Sequence, residues 1–326
     1  MASGNTNFST LITTTLQNFG KRIFDGASTN NALLFMLKKK NNIKVVGGGR
    51  TFTHPIIFAT NPSFASYAKL DTIGLNVTDN ITRAEYDIKV LAGSIVLSKI
   101  DLAMNAGNRE KLIDLADEKR MEAEISMSEL LGDQVFKDGS AANDFDGLQN
   151  LISESPSTQS DVGGIDSSAS GASSNTYWRN YSYDTAITGF NTSSEGLNVW
   201  NTVLNNTTYG RQGPKAVITD KTIYGLYEIG LTSNIRYTNT ELADAGFRAL
   251  QYTTMPVLFD DNCPSGNTYF IDTDSLWLQV LAQANMQVTQ FQMQDDQLAS
   301  SALMYLAGNL STGSRRTQGV IDSTTG

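Results

Sequence analysis

A chain of 326 residues, 40% hydrophobic and 17% charged, can bury one large core or two ordinary ones. Its formal net charge of −9 argues against a protein that wraps nucleic acid by neutralising phosphates. A single cysteine, Cys263, rules out an internal disulfide framework, and with a single histidine, His54, no zinc site of several Cys or His ligands can form.

The charge is unevenly spread. Residues 1–50 hold Lys21, Arg22, Lys38, Lys39, Lys40, Lys44 and Arg50 against Asp25 alone, so the remainder is strongly acidic. A basic arm on an acidic body suits contact between subunits or with an acidic partner. The N-terminus is polar and does not read as a signal peptide. No run of about 18 apolar residues reads as a membrane span. Residues 1–40 read as an arm. Phe8, Leu11, Ile12, Leu16, Phe19 and Ile23 recur at helical spacing. Ala32 to Leu37 is apolar all round and is expected to plug a groove. Deleting 1–40 is expected to leave the body folded.

Ile43 to Leu97 reads as one long β-hairpin. On its return strand Ala84, Tyr86, Ile88 and Val90 alternate with Arg83, Glu85, Asp87 and Lys89, which gives one wet face. Gly47-Gly48-Gly49-Arg50 reads as its hinge, because the Lys-Ser/Thr ending and following helix of a phosphate loop are missing. The polar stretch Thr60 to Asn80 is too long for a plain turn and suits a projecting arm.

Arg109 to Leu131, without Gly or Pro, predicts a long charged helix with Asn105 or Asn108 as N-cap and Gly132 just past its end. Its apolar stripe is narrow, so it lies across something on one side and offers charge elsewhere. Leu148 to Ile152 predicts a short helix. The Ser/Gly/Ala-rich stretch 153–175 predicts a mobile surface loop. Residues 176–290 read as mixed α/β. The expected helices are Ser194–Leu204 and one capped by Asp220 and running to Ile229. The expected strands are Lys215–Thr219, Gln251–Phe259, Tyr269–Ile271 and Trp277–Leu281, with a turn at Asp260–Asn267. Gln290–Gln294 alternates, Leu298–Leu310 reads as a strand pair or last ladder, and a polar tail follows Gly313.

Catalytic equipment is sparse. His54 precedes Pro55 with no nucleophile nearby, and Cys263 reads as a small hydrophobe. The pairs Asp260/Asp261, Asp272/Asp274 and Asp295/Asp296 fall beside predicted turns, where Asp is common for backbone reasons. The cluster Trp178-Arg179-Asn180 with Tyr181 and Tyr183 suits a contact surface.

The order of parts, with Phe145-Asp146-Gly147-Leu148, Gly163-Gly164-Ile165-Asp166, Trp178-Arg179-Asn180, Arg236, Gly246-Phe247, Pro256-Val257, Cys263-Pro264, Tyr269-Phe270-Ile271, Gly308-Asn309-Leu310 and Arg315-Arg316, resembles the major capsid proteins of tailed double-stranded DNA bacteriophages. The resemblance implies the α+β Hong Kong 97-type fold. It implies an N-terminal arm (1–42), an extended loop (43–82), a peripheral domain (83–147) with its spine helix at 109–131, an axial domain (148–287) and a return to the peripheral domain (288–326). It further implies no enzyme activity and no cofactor, and pentamers and hexamers closing into an icosahedral virion shell around the genome, assembled in the host cytoplasm. The implied partners are other copies of the chain, a portal protein, a separate scaffolding protein, a decoration or cement protein, and packaged DNA without sequence-specific contact. The acidic body fits that last role, since like charge keeps the walls non-sticky. Arg50, Arg83, Glu85, Lys119, Arg120, Glu124, Trp178 and Arg179 are the expected interface residues. Two alternatives are a bacterial nanocompartment shell around an enzyme cargo, and a carboxylate-dependent hydrolase or cation-binding module using Asp272 and Asp274.

Overall fold

The computed structural model describes residues 31–69, 71–72, 78–100, 109–159, 161–169, 175–190, 196–231, 250–293 and 298–322, with the backbone alone over 109–117. The arm residues Phe8 to Ile23, the candidate caps Asn105 and Asn108, the pair Asp295/Asp296, Arg236 and Gly246-Phe247 lie outside the described residues.

The scaffold of the first sheet is one strand, β13 (Ala299–Thr312). Along one edge it pairs antiparallel with β4 (Lys89–Ser98). Along the other it pairs in turn with β12 (Gln292–Met293), β11 (Gln287–Val288) and β10 (Leu276–Leu281). β1 (Ile43–Val46) adds to β10 in parallel. The expected strand pair at Leu298–Leu310 is therefore a single 14-residue strand. Gly308 is where that strand approaches β10 closest: a Cβ there would lie 2.5 Å from the carbonyl oxygen of Gln279.

The second sheet has the order β5-β14-β9-β6-β8-β7. These strands are Tyr181–Asp184 (β5), Gly319–Asp322 (β14), Asn267–Ile271 (β9), Ala216–Thr219 (β6), Met255–Phe259 (β8) and Leu250–Tyr252 (β7). Both faces of this sheet are buried. On β9, Tyr269 and Ile271 join one core while Phe270 joins another, because successive side chains point to opposite faces. The second core is aromatic. Trp200 of α4 (Gly196–Thr207) stacks on Tyr227 of α5 (Lys221–Gly230), and Phe190, Tyr252 and Phe270 meet Trp200 edge to face.

Several expectations need correcting. The long hairpin is shorter than expected: β2 (Thr51–Ile57) pairs with β3 (Ile81–Asp87), while β1 and β4 belong to the body. The alternation changes phase where the chain passes between the two. Ala84 and Tyr86 are buried, then Leu91, Ile95 and Leu97, whereas Val90 is exposed. The charged helix α2 runs from Arg109 to Phe136, through Gly132. Gly132 is a contact rather than a cap, since a Cβ there would sit 2.6 Å from the Asn31 side chain. Gln251–Phe259 is two strands joined at Thr253, whose φ is +53°.

The 153–175 stretch is anchored over much of its described length. Val162 is buried and bridges Ile165, the Trp178 indole donates to the Val162 carbonyl at 2.9 Å, and the Ser167 hydroxyl bonds the carbonyls of Pro156 and Gln159. The tail after Gly313 is also built in: Arg315 is wholly buried and β14 is a central strand. The segment 288–326 is thus shared between both sheets, and β10, assigned from sequence to the axial region, lies in the first.

The apolar run at 32–37 forms α1 (Ala32–Lys39), with Leu33, Met36 and Leu37 in the main core. The buried carboxylate of Asp260 accepts from the Leu33 N–H at 2.9 Å and so caps this helix from across the chain. Deletion of 1–40 would therefore open the core, contrary to expectation; a deletion that tests the arm alone must stop at residue 30.

The Phe145-Asp146-Gly147 string ties these parts together. The Phe145 N–H donates to Gln134 Oε1 on α2, and the Asp146 N–H to Asn309 Oδ1 on β13. Asn309 Nδ2 reaches both the Asp87 carbonyl and Asp146 Oδ2. α3 (Leu148–Leu151) follows directly.

Candidate assembly site

α2 packs on β4 through its C-terminal half. Met127, Leu131, Val135 and Phe136 are buried, and Ala123 lies against them. Facing outward, Arg120, Met121, Glu122, Glu124, Ser126 and Leu130 are exposed. The expected half-covered helix is present over residues 118–136. Between α2 and β4 runs a groove of about 260 Å³, floored by Ile95, Met127 and Met304 and rimmed by Lys119 and Glu122. Lys119 pairs with Glu122 at 2.6 Å and Arg120 with Glu124 at 3.1 Å. Such exposed pairs add little to stability.

The β2–β3 hairpin presents one face to the body through Phe52, His54, Ala84 and Tyr86. Beyond that contact three described apolar side chains are bare: Phe64 is 88% exposed, Ile57 77% and Ile81 63%. Sequence reading missed this apolar tip, although Phe64 and Tyr67 in a polar loop were its visible signal. Arg83 and Glu85 pair with each other on the hairpin's outer side, and Arg50 is exposed in the hinge, where Gly49 takes a φ of +144°. The expected interface residues are therefore split. Arg50, Arg83 and Glu85 lie on the hairpin and its hinge; Lys119, Arg120 and Glu124 lie on α2.

Trp178 is a correction. It is 1% exposed and belongs to the main core, so it offers no surface to a neighbour. Its short 3₁₀ turn, Thr176–Trp178, carries the ring inward, and Arg179 follows partly exposed, bonded to the Ser167 and Ala169 carbonyls.

His54, Cys263, Asp260 and Asp272 serve the fold. His54 is buried on β2, stacked at 4.7 Å on Trp277, with Nε2 3.1 Å from the Ser311 hydroxyl. Burial, then the nearby Lys44 cation, lowers its pKa to about 4. Burial pushes the Cys263 thiol well above its ordinary range. Asp260 rises to about 6, chiefly by burial. Asp272 is buried and fully engaged: its carboxylate accepts from the Asp274 N–H, the Thr317 hydroxyl and the Ser275 hydroxyl. Asp274 instead pairs outward with Lys215. The two carboxylates thus form no open pair, and the hydrolase or cation-module alternative loses its site. Among the described residues no group of three or more His, Cys, Asp or Glu is placed to hold a metal, and no helix is long and apolar enough to cross a membrane.

No family model and no curated protein matches this sequence. Solved structures do. A chain of the cyanophage A-1(L) capsid is similar over 95% of this chain and 98% of its own, with a TM-score of 0.67 at 14% identity. This chain has the Hong Kong 97-type capsid fold. A capsid chain of an empty GTA particle is similar over 99% of this chain and all of its own, with a TM-score of 0.58 at 12% identity. The SrpI encapsulin of Synechococcus elongatus is similar over 99% of this chain and 96% of its own, with a TM-score of 0.55 at 10% identity. The Hong Kong 97-type fold therefore covers phage, GTA and encapsulin shells alike, and in this chain it carries a bare hairpin tip and a half-covered α2.

Proposed function

We propose that this chain is a phage major capsid protein that self-assembles, as pentamers and hexamers, into the icosahedral head shell around a double-stranded DNA genome. What carries the reading is the near-complete two-way coverage against a phage capsid chain. The bare apolar hairpin tip and the apolar groove beside α2 support it, because such surfaces mark contact with another protein. Modest contacts repeated in closed symmetry add up to a stable container. In this reading residues 1–42 are the arm, 43–82 the extended loop, 83–147 the peripheral domain and 148–287 the axial domain, with 288–326 serving both. The protein sits in the virion capsid, has no catalytic role, and works with a portal protein, a separate scaffolding protein and a decoration or cement protein. Arg50, Arg83, Glu85, Lys119, Arg120, Glu124 and Arg179 are its proposed contact residues.

The likeness to an encapsulin supports a second reading, a nanocompartment shell around an enzyme. Expression followed by sedimentation and negative-stain microscopy tests the shared claim: closed shells or capsomers are expected, and a strict monomer at high concentration refutes both readings. Co-expression with the neighbouring genes, then assay of purified particles for nuclease-protected DNA or for a single enclosed enzyme, separates them.

A further inference from the structure

Three chain segments far apart in sequence converge on a polar cavity of about 380 Å³. Thr176, Tyr177, Arg179, Asn180 and Tyr181 enter from the 3₁₀ turn and the start of β5. Asn206 and Tyr209 enter from the end of α4, and Arg316 from the turn between β13 and β14. The volume is that of a small-ligand site. Among the described residues its only charged lining residues are Arg179 and Arg316, both cationic, in a chain whose net charge is −9. Among the described residues neither forms an ion pair.

The walls are braced rather than loose. The Arg316 guanidinium lies 3.5 Å over the Tyr209 ring. Arg179 is held by the Ser167 carbonyl at 2.7 Å. Asn180, between Arg179 and Tyr181, is fixed from behind by buried Arg315 at 3.1 Å. Near the end of α4, Asn206, Thr207 and Thr208 donate to the carbonyls of Thr202, Val203 and Leu204. Asp166 is the nearby carboxylate, and it is bonded mainly to Ser168. The hydroxyls of Tyr177, Tyr181 and Tyr209 and the guanidinium of Arg316 have no hydrogen-bond partner among the described residues.

We propose that this cavity binds a phosphate-bearing anion, with Arg316 and Arg179 meeting the phosphate oxygens and the tyrosines supplying hydroxyl donors and a ring face. The planar guanidinium of Arg316 suits phosphate because it can donate two parallel bonds, while Arg179, whose Nε and Nη2 already donate to the Ser167 and Ala169 carbonyls, adds positive charge. A tyrosine ring accepts any nucleobase that accompanies the phosphate. The site shares Arg179 with the proposed shell contacts, and asks only for the folded, unassembled chain, where those contacts are not made.

Calorimetric titration of the purified full chain tests it with three probes: inorganic phosphate, a mononucleotide and a short oligothymidylate. Arg316→Gln is exposed and leaves the fold intact; Arg120→Gln on α2 is the control. The proposal expects binding of at least one probe, weakened tenfold or more by Arg316→Gln and Arg179→Gln and unchanged by Arg120→Gln. Equal affinity for phosphate and mononucleotide assigns the site to free phosphate. Tighter binding of the mononucleotide adds stacking, and a further gain with the oligothymidylate, lost with added salt, assigns it to a nucleic-acid backbone. The proposal is overturned if the parent binds none of the three. It is equally overturned if both arginine variants bind like the parent, or if Arg316→Gln blocks assembly in a protein that binds no phosphate, which would make the cavity a seat for a neighbour's carboxylate.

Discussion

Among the described residues Arg315 is a cation buried without a carboxylate partner, and replacing it by Met tests what holds the junction between the two sheets. Its guanidinium donates to the Leu151 carbonyl at 2.7 Å, Gln159 Oε1 at 2.6 Å and Asn180 Oδ1 at 3.1 Å. Bonds from a charged donor contribute about 1.5–3 kcal/mol each, so three of them give roughly 4.5–9 kcal/mol. Against this stands the burial of the charge, which lowers the guanidinium pKa from its ordinary value to about 10. That drop corresponds to about 3 kcal/mol. Arg315→Met keeps most of the volume and removes both contributions, for a net loss of roughly 1.5–6 kcal/mol. Unfolding entropy of about 2.1 cal/mol/K per residue over this chain amounts to about 0.7 kcal/mol/K, so the Tm should fall by about 2–9 °C. Differential scanning calorimetry of the unassembled chain measures it. Arg315→Lys, which keeps the charge but reaches fewer acceptors, should lose at least as much. A Tm for Arg315→Met equal to the parent's or higher would falsify this account and show that burying the cation costs as much as its bonds return.

Three further outcomes follow from the same geometry. Gly147→Ala should cost at least about 2 kcal/mol in urea unfolding, because its Cβ would sit 2.4 Å from both the N and the O of Lys137, backbone that cannot yield; a fully stable variant would contradict the packing. His54, whose folded pKa is lowered to about 4, contributes stability that is present above pH 6.5 and lost as pH falls towards 4, by at most about 3 kcal/mol before solvent screening. Asp260, raised to about 6, acts oppositely: its contribution is present below pH 3.8 and lost as pH rises through 6. His54→Gln should therefore leave stability falling with pH between about 4 and 6, and Asp260→Asn should leave it rising; matching slopes in both variants would refute the assignment. Phe64→Ser with Ile57→Ser should leave the Tm of the lone chain within about 1 °C, since both are exposed, yet abolish shells in sedimentation; undiminished shell yield would exclude the hairpin tip from assembly.

The sequence by itself determined the local elements. The long helix from Arg109, though not its end beyond Leu131, the strand at 216–219, the helix after Asp220 and the alternation of Ala84 and Tyr86 were legible, because propensity and apolar period act over a few residues. The order of parts also pointed to the capsid fold. What only the tertiary structure decided were pairings between residues far apart in the chain. Gly132 looked like a helix end but is a site of close approach to Asn31. Trp178 looked like a surface aromatic but its indole found the Val162 carbonyl. Asp260 and Asp272 looked like a turn pair and a candidate catalytic pair, yet one caps α1 across the chain and the other closes a bend with Thr317. Arg315 and Arg316 are adjacent and identical in sequence, and only the fold turns one wholly into the core and the other out to an open cavity. A polar side chain is read by the partner it meets, and that partner is set by which strands lie side by side, which no local pattern encodes.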